Sequence, residues 1–180
     1  MSMAEQPILT TERLLLRTPV MGDVPAIQTL LQERDIAAMT MNIPHPYPAG
    51  MAAEWLTRTY ERIENGSSAV FGIVRQADLT YLGTVGLHLD TDHHAAEIGY
   101  WIGKPYWNNG YTSEAVRRII QYGFAELDLR RIAASYFTHN PASARVMQKA
   151  NMQFEGILRQ HIYKWGQFCD LGYYSILATD

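Results

Sequence analysis

Between a strand-like run and a strongly helical one lies Trp107-Asn108-Asn109-Gly110-Tyr111-Thr112, and this junction restricts the fold more than any other stretch of the chain. The run Ala95 to Ile102 (A-A-E-I-G-Y-W-I) is rich in aromatic and β-branched residues and predicts a strand. After the junction, Ala115, Val116, Ile119, Ile120, Gly123, Phe124 and Leu127 recur at the spacing that gathers small and apolar groups on one helical face. Arg117, Arg118, Gln121 and Glu126 fall on the other. Gly110 lets the chain turn without a Cβ penalty and approach a ligand closely. The opening N–H groups of such a helix have no intrahelical partner and lie at the positive end of its dipole, where an anion gains about 0.3 to 1 kcal/mol per interaction. A pyrophosphate fits this turn. So does a plain connection without a ligand, since glycine commonly marks turns. Two familiar phosphate loops are excluded: no Gly-Lys-Ser/Thr follows Gly110, and the three-glycine dinucleotide spacing is absent.

At 180 residues and 47% hydrophobic composition, the chain predicts one domain over residues 1–180 with a substantial core. A net charge of −3 without a basic cluster argues against nucleic acid as primary ligand and favours cationic partners such as amines. Cys169 is the one cysteine, so no internal disulfide framework is expected, and it reads as a packed thiol. Met1 to Thr10 lacks the basic and apolar regions of a signal peptide, and no run approaches the length of a membrane span. The expectation is a cytoplasmic protein that does not engage membranes. His93-His94 lies in a polar turn without the ligand spacing of a zinc site, and no metal is expected.

Glu12 to Thr18 predicts a first strand, and Asp23-Val24-Pro25 a helix start whose apolar stripe is Ile27, Leu30 and Leu31. Three prolines in five positions, Pro44 to Pro48, make a stiff loop. A second helix runs from Ala49 to about Ile63, with Trp55, Leu56 and Thr59 or Tyr60 inward, and Asn65-Gly66 stops it. Ala69 to Arg75, Tyr81 to Leu89 and the Ala95 strand form a meander broken by polar turns. Arg131 to Phe137 predicts another strand. Asn140-Pro141 then caps a helix to Ala150, ended by a left-handed Asn151, and Gly156 to Tyr163 pairs with Asp170 to Ala178 around Trp165-Gly166-Gln167.

Four segments of this chain resemble the GNAT N-acetyltransferases, and in particular their RimJ/RimL-like branch of ribosomal-protein N-terminal acetyltransferases. They are T-E-R-L-L-L-R, the proline loop I-P-H-P-Y-P, A-E-I-G-Y-W-I running into W-N-N-G-Y-T-S-E-A, and N-P-A-S-A-R-V-M-Q-K-A-N-M. The turn is similar to the family's Gln/Arg-x-x-Gly-x-Gly/Ala signature, with Trp107 at the first position, Gly110 as the retained glycine and Thr112 in place of the small last residue. The element order β, α, α, β, β, β, α, β, α, β, β is that of the GNAT fold. The resemblance thus implies an α/β (α+β) fold, with a mixed, mostly antiparallel sheet of about seven strands and about four helices.

The same resemblance implies acetyl-CoA as co-substrate, direct transfer without a covalent enzyme intermediate, and no metal. It places the acetyl carbonyl near Tyr100 and Trp101 and the pyrophosphate on Asn108, Asn109, Gly110, Tyr111 and Thr112, with Ile102 and Trp107 also among the cofactor contacts. Asn140, Ser143 and Lys149 complete the cofactor contacts; Asn140 can equally be a helix cap only. Glu97, a charge inside an apolar strand, is the candidate general base, directly or through water; the alternative is an outward-facing carboxylate. Ser143 is the candidate proton donor to the CoA thiolate, against a first-turn serine bonded to backbone. Other GNAT enzymes place a tyrosine four positions later, where this chain has Met147. His45 and Tyr47, with Glu97, are expected at the acceptor. An α-amine of pKa about 8 needs less help than a lysine near 10.4, a difference of roughly 3.4 kcal/mol. The expected acceptor is therefore a protein N-terminus, such as that of a ribosomal protein. A polyamine, amino acid or antibiotic amine and a catalytically silent acyl-CoA-binding module are the alternatives. A homodimer is compatible with the group.

Overall fold

The computed structural model describes residues 6–180, so the leader-peptide expectation for Met1 to Thr10 lies partly outside the described residues. Its strands are β1 (Leu9–Thr10), β2 (Leu14–Arg17), β3 (Ser68–Arg75), β4 (Tyr81–Asp90), β5 (Ala95–Ile102), β6 (Arg131–Phe137), β7 (Gln153–Lys164) and β8 (Gln167–Leu177). The α-helices are α1 (Val24–Leu30), α2 (Arg34–Ala38), α3 (Met51–Glu64), α4 (Tyr111–Glu126) and α5 (Pro141–Lys149). The sheet order is β1-β2-β3-β4-β5-β6-β8-β7, antiparallel throughout except between β5 and β6.

The expected first strand, Glu12 to Thr18, is shortened to β2, and β1 before it is an eighth strand that was not expected; Thr11 turns the chain between them, its N–H donating to the Leu14 carbonyl at 3.0 Å while its hydroxyl accepts from the Leu14 N–H at 2.9 Å. The short α2, which the periodicity did not announce, is the added helix. α3 begins at Met51 rather than Ala49 because Gly50, in the left-handed region at φ 83°, is its N-cap. Asn151 takes the expected left-handed conformation at φ 60°, and Trp165 and Gly166, both at positive φ, turn the last hairpin.

Both faces of the sheet are packed. On one, Leu16, Phe71, Leu87, Ile98 and Ile132 meet Ile119 of α4 and Met147 of α5. Gly123 permits this close approach, since a Cβ there would lie 2.9 Å from Ile132 Cδ1. On the other face, Val74 and Tyr81 meet Ile27 of α1, Ile36 of α2 and Ala52 of α3. Complete burial of side chains such as Ile119 and Phe71 is the main stabilising term, each contributing about 1.5–3 kcal/mol.

The parallel junction positions the site. β5 and β6 keep register only at Ala95↔Arg131, Ala96↔Ile132 and Glu97↔Ala133, and beyond Glu97 they part. β5 stays paired with β4 as far as Ile102, and β6 with β8 as far as Phe137. The sheet therefore forks in its middle.

Candidate active site

A cavity of about 650 Å³ lies at the mouth of the fork, between the end of β5, the turn after it, α5 and α2. One end is the junction identified in the sequence. The Trp107 indole donates to the Ile102 carbonyl at 2.9 Å, fastening the turn to the end of β5. This gives the tryptophan at the Gln/Arg position a local role. Asn109 Nδ2 donates to the Trp107 carbonyl at 2.9 Å and the Tyr106 carbonyl at 3.2 Å. Asn108 and Gly110 take φ of 62° and 79°. The first backbone bond of α4 runs from Glu114 N–H to the Gly110 carbonyl at 3.1 Å. The N–H groups of Tyr111, Thr112 and Ser113 precede it and stand at the positive helix end, facing the cavity that all three residues line.

The turn is braced from outside by residues about 100 positions earlier. Arg13 donates from Nη1 to the Asn109 carbonyl at 3.0 Å and from Nε to Glu114 Oε2 at 2.8 Å, and its guanidinium lies 4.7 Å from the Tyr111 ring centroid. Glu114 Oε1 also accepts from the Thr11 hydroxyl at 2.5 Å and the Arg13 N–H at 2.9 Å. Burial alone would raise the Glu114 pKa, but these donors outweigh it and lower the pKa. The second arginine of the same motif, Arg17, grips the buried Asp23 carboxylate at 2.7 and 2.8 Å, joining β2 to the start of α1.

α5 forms the opposite wall. Asn140 Oδ1 caps it by accepting from the Ser143 N–H at 3.2 Å, which puts Ser143 one turn into the helix and toward β5. There the Ser143 hydroxyl lies 2.7 Å from the Tyr100 hydroxyl, which also reaches the Ser143 carbonyl at 3.3 Å. Burial pushes the Tyr100 pKa up to about 12, against the lowering effect of Ser143, so the phenol keeps its proton at neutral pH. Arg145 and Lys149, four residues apart on one helical side, line the cavity and are exposed. α2 and its continuation, through Asp35, Ile36, Met39 and Thr40, make a third wall. Lys104 holds Asp35 at 2.7 Å, and Lys164 Nζ donates to the carbonyls of Thr40 and Met41.

Of the residues expected at the cofactor, the cavity brings together Tyr100, Trp101, Ile102, Trp107, Asn108, Gly110, Tyr111, Thr112, Asn140, Ser143 and Lys149. Asn109 stands behind the turn and shapes it. Glu97 does not line the cavity: it sits at the last pair before the fork on the opposite sheet face, where Oε1 accepts from the Ser135 hydroxyl at 2.7 Å. Tyr47 is a buried core residue whose pKa is raised by burial, and His45 is half-buried with Nδ1 enclosed and without a hydrogen-bond partner. Neither lines the cavity. Arg13, Arg145 and the α2 wall escaped the sequence reading; the i, i+4 spacing of Arg145 and Lys149 was the one available signal. Among the described residues, no three His, Cys, Asp or Glu side chains gather as metal ligands, and no helix is long and apolar enough to cross a membrane.

The mixed sheet forks after three parallel pairs, with a left-handed glycine opening a helix at the mouth, and both lie inside a segment matched by a family of acetyltransferases. The chain belongs to that family: residues 13–153 match the family described as acetyltransferase (GNAT) domain. It is 34% identical over 172 residues to the uncharacterized N-acetyltransferase YoaA of Bacillus subtilis (strain 168), covering 95% of this chain and 97% of that protein. It is 27% identical over 128 residues to the [ribosomal protein uS5]-alanine N-acetyltransferase of Escherichia coli (strain K12), covering 70% of this chain and 66% of the relative. The solved structure of RimL, the ribosomal L7/L12 alpha-N-protein acetyltransferase in complex with coenzyme A, shares the fold, with a TM-score of 0.88 at 20% identity over 95% of this chain and 98% of that one. The protein is an N-acetyltransferase.

Proposed function

We propose that the protein transfers the acetyl group of acetyl-CoA to the α-amine of a protein N-terminus. The observation that carries this reading is the cavity at the fork, with free helix N–H groups and exposed cations near one end and the Tyr100–Ser143 hydroxyl pair in its wall. The pyrophosphate sits on the N–H groups of the Gly110 turn, and Arg145 and Lys149 offset further phosphate charge. The thioester then lies along the unpaired edge of β5 beyond Glu97, beside Ser143. The neutral amine attacks the thioester carbonyl, the C–N bond forms and the C–S bond breaks. Glu97, at the base of the fork, receives the ammonium proton through water, and Ser143 donates its proton to the departing thiolate and recovers one from solvent. An α-amine asks least of this machinery, and the sequence relative that acts on a ribosomal-protein alanine supports the same acceptor class.

The test is mass spectrometry of peptides with free N-terminal Ala or Ser, the same peptides with blocked N-termini and an internal lysine, and spermidine, each with acetyl-CoA. One acetyl group on the free α-amine is expected. Acetylation of spermidine with inert peptides overturns the acceptor assignment. Failure of acetyl-CoA to bind by calorimetry overturns the whole reading.

A further inference from the structure

Gly99 stands in the middle of β5, in the interior of an eight-stranded sheet, yet it is exposed. Two ordinary reasons for a glycine in a strand fail here. Its φ is outside the left-handed region, and beyond its own two chain neighbours no described residue has an atom within 4 Å of where a Cβ would stand. The contrast with its cross-strand partner is direct: a Cβ on Gly86 would lie 3.0 Å from the Ala69 carbonyl oxygen and 3.2 Å from Val70 Cγ2. Gly86 is small because the protein fills its surroundings, whereas the space over Gly99 is left empty.

The location of that space gives it a use. Side chains alternate along β5, so Tyr100 and Ile98 face α4 and α5, while Glu97, Gly99 and Trp101 face the side covered by α1 and α3. Gly99 is the first position on this second face after the last β5–β6 pair. The cavity is lined by both Tyr100 and Trp101, whose side chains leave β5 on opposite faces, and by α2 on the second face; Gly99 does not line it but adjoins Tyr100 on the strand, with open space over it. Glu97, bound to Ser135, lies on the same face two residues away.

We infer that Gly99 is a specificity-determining residue that makes room for a branched carbon next to the acceptor nitrogen; this rests on the acceptor reading above. With acetyl-CoA against α4 and α5, as in the reading above, the amine would reach the thioester from the Gly99 side. A residue α-amine sits on a carbon bearing both a side chain and a carbonyl, whereas the amine of an N-terminal glycine or a polyamine sits on an unbranched CH₂. A Cβ at position 99 takes the volume the branch needs and leaves the slimmer amine room to pass.

The experiment compares wild type, Gly99→Ala and Gly99→Val on two peptides of the same sequence that differ only in N-terminal Ala or Gly. In the valine variant kcat/KM for the Ala peptide is expected to fall at least tenfold relative to the Gly peptide, with a smaller fall in the alanine variant. In the alanine variant acetyl-CoA affinity by calorimetry and the melting temperature stay within about twofold and about 2 °C of wild type, because an added Cβ meets nothing, and the same two measurements on the valine variant separate a packing effect from a change in specificity. An unchanged Ala-to-Gly ratio, or a loss of acetyl-CoA affinity that accounts for the rate loss, overturns the inference. A wild-type protein inert on both peptides overturns the α-amine reading itself, and this inference with it.

Discussion

Replacing Tyr100 by Phe and Ser143 by Ala, singly and together, tests whether the two hydroxyls act as one device. The Tyr100 hydroxyl, 2.7 Å from the Ser143 hydroxyl, orients it, and a net hydrogen bond of this kind contributes about 0.5–1.5 kcal/mol. Its loss should lower kcat about two- to tenfold. If Ser143 is the proton donor, as proposed, Ser143→Ala should lower kcat about 10²-fold, the low end for general-acid catalysis, because a thiolate with a pKa near 8.5 is a tolerable leaving group. The double variant should also lose about 10²-fold, since an orienting group has nothing to act on once the donor is gone. Initial-rate kinetics at saturating acetyl-CoA, with melting curves alongside, measure all four proteins. Stability should change little in Ser143→Ala: Asn140 still caps the Ser143 backbone, and Tyr100 keeps the Ser143 carbonyl at 3.3 Å as an acceptor. Burial raises the Tyr100 phenol well above its ordinary range and Ser143 only lowers it, so Ser143→Ala should bring no Tyr100 inflection between pH 6 and 10. Losses that multiply to about 10³-fold would refute the shared role and make the hydroxyls independent.

Three further outcomes follow from the geometry. Arg13→Ala removes the brace on the Asn109 carbonyl and on Glu114 without touching the cavity, and calorimetry should show acetyl-CoA affinity reduced about two- to tenfold; unchanged affinity would show that the turn holds itself. Glu97→Gln should slow acetylation at pH 7 with acetyl-CoA affinity intact, and the deficit should shrink toward pH 9 as the amine deprotonates itself; a deficit constant with pH would reduce Glu97 to a structural partner of Ser135. Arg131, aided by Ser175, lowers the Glu155 pKa from an ordinary 4.5 to about 2, so the folded state holds fewer protons than the unfolded chain between those values. The stabilisation is complete above about pH 4.5 and is lost as pH falls toward 2; the melting-temperature gap between wild type and Glu155→Gln should close over that window.

Local features of this fold were legible because their causes are local. Gly110, Asn151 and Asn140-Pro141 declare a left-handed turn, a helix end and a helix start through their own backbone preferences, and the structure has each in place. The strand-to-helix junction was readable for the same reason. The supports of the site were not. Thr11 and Arg13 brace Glu114 from about 100 residues away, and Tyr100 finds Ser143 across 43 residues, distances over which periodicity and turn chemistry carry no information. The proline loop shows the converse: its stiffness could be read, but the burial of Tyr47 depends on the α1 and α3 packing around it. The openness over Gly99 is equally invisible in a sequence, since a glycine letter does not say whether its missing side chain is crowded out or left as space.

The three-pair junction of β5 and β6 also has a mechanical consequence. The two strands are laid out as the arms of a pair of tongs, each backed by its outer neighbour, β4 or β8, and joined at Ala95 to Glu97. In such a layout a given change of angle produces a displacement that grows with distance from the pivot. Glu97 stands at the pivot and the Gly110 turn and the Asn140 cap stand beyond the tips of opposite arms, so a change in the width of the cleft would be expressed at the two ends and least at the carboxylate.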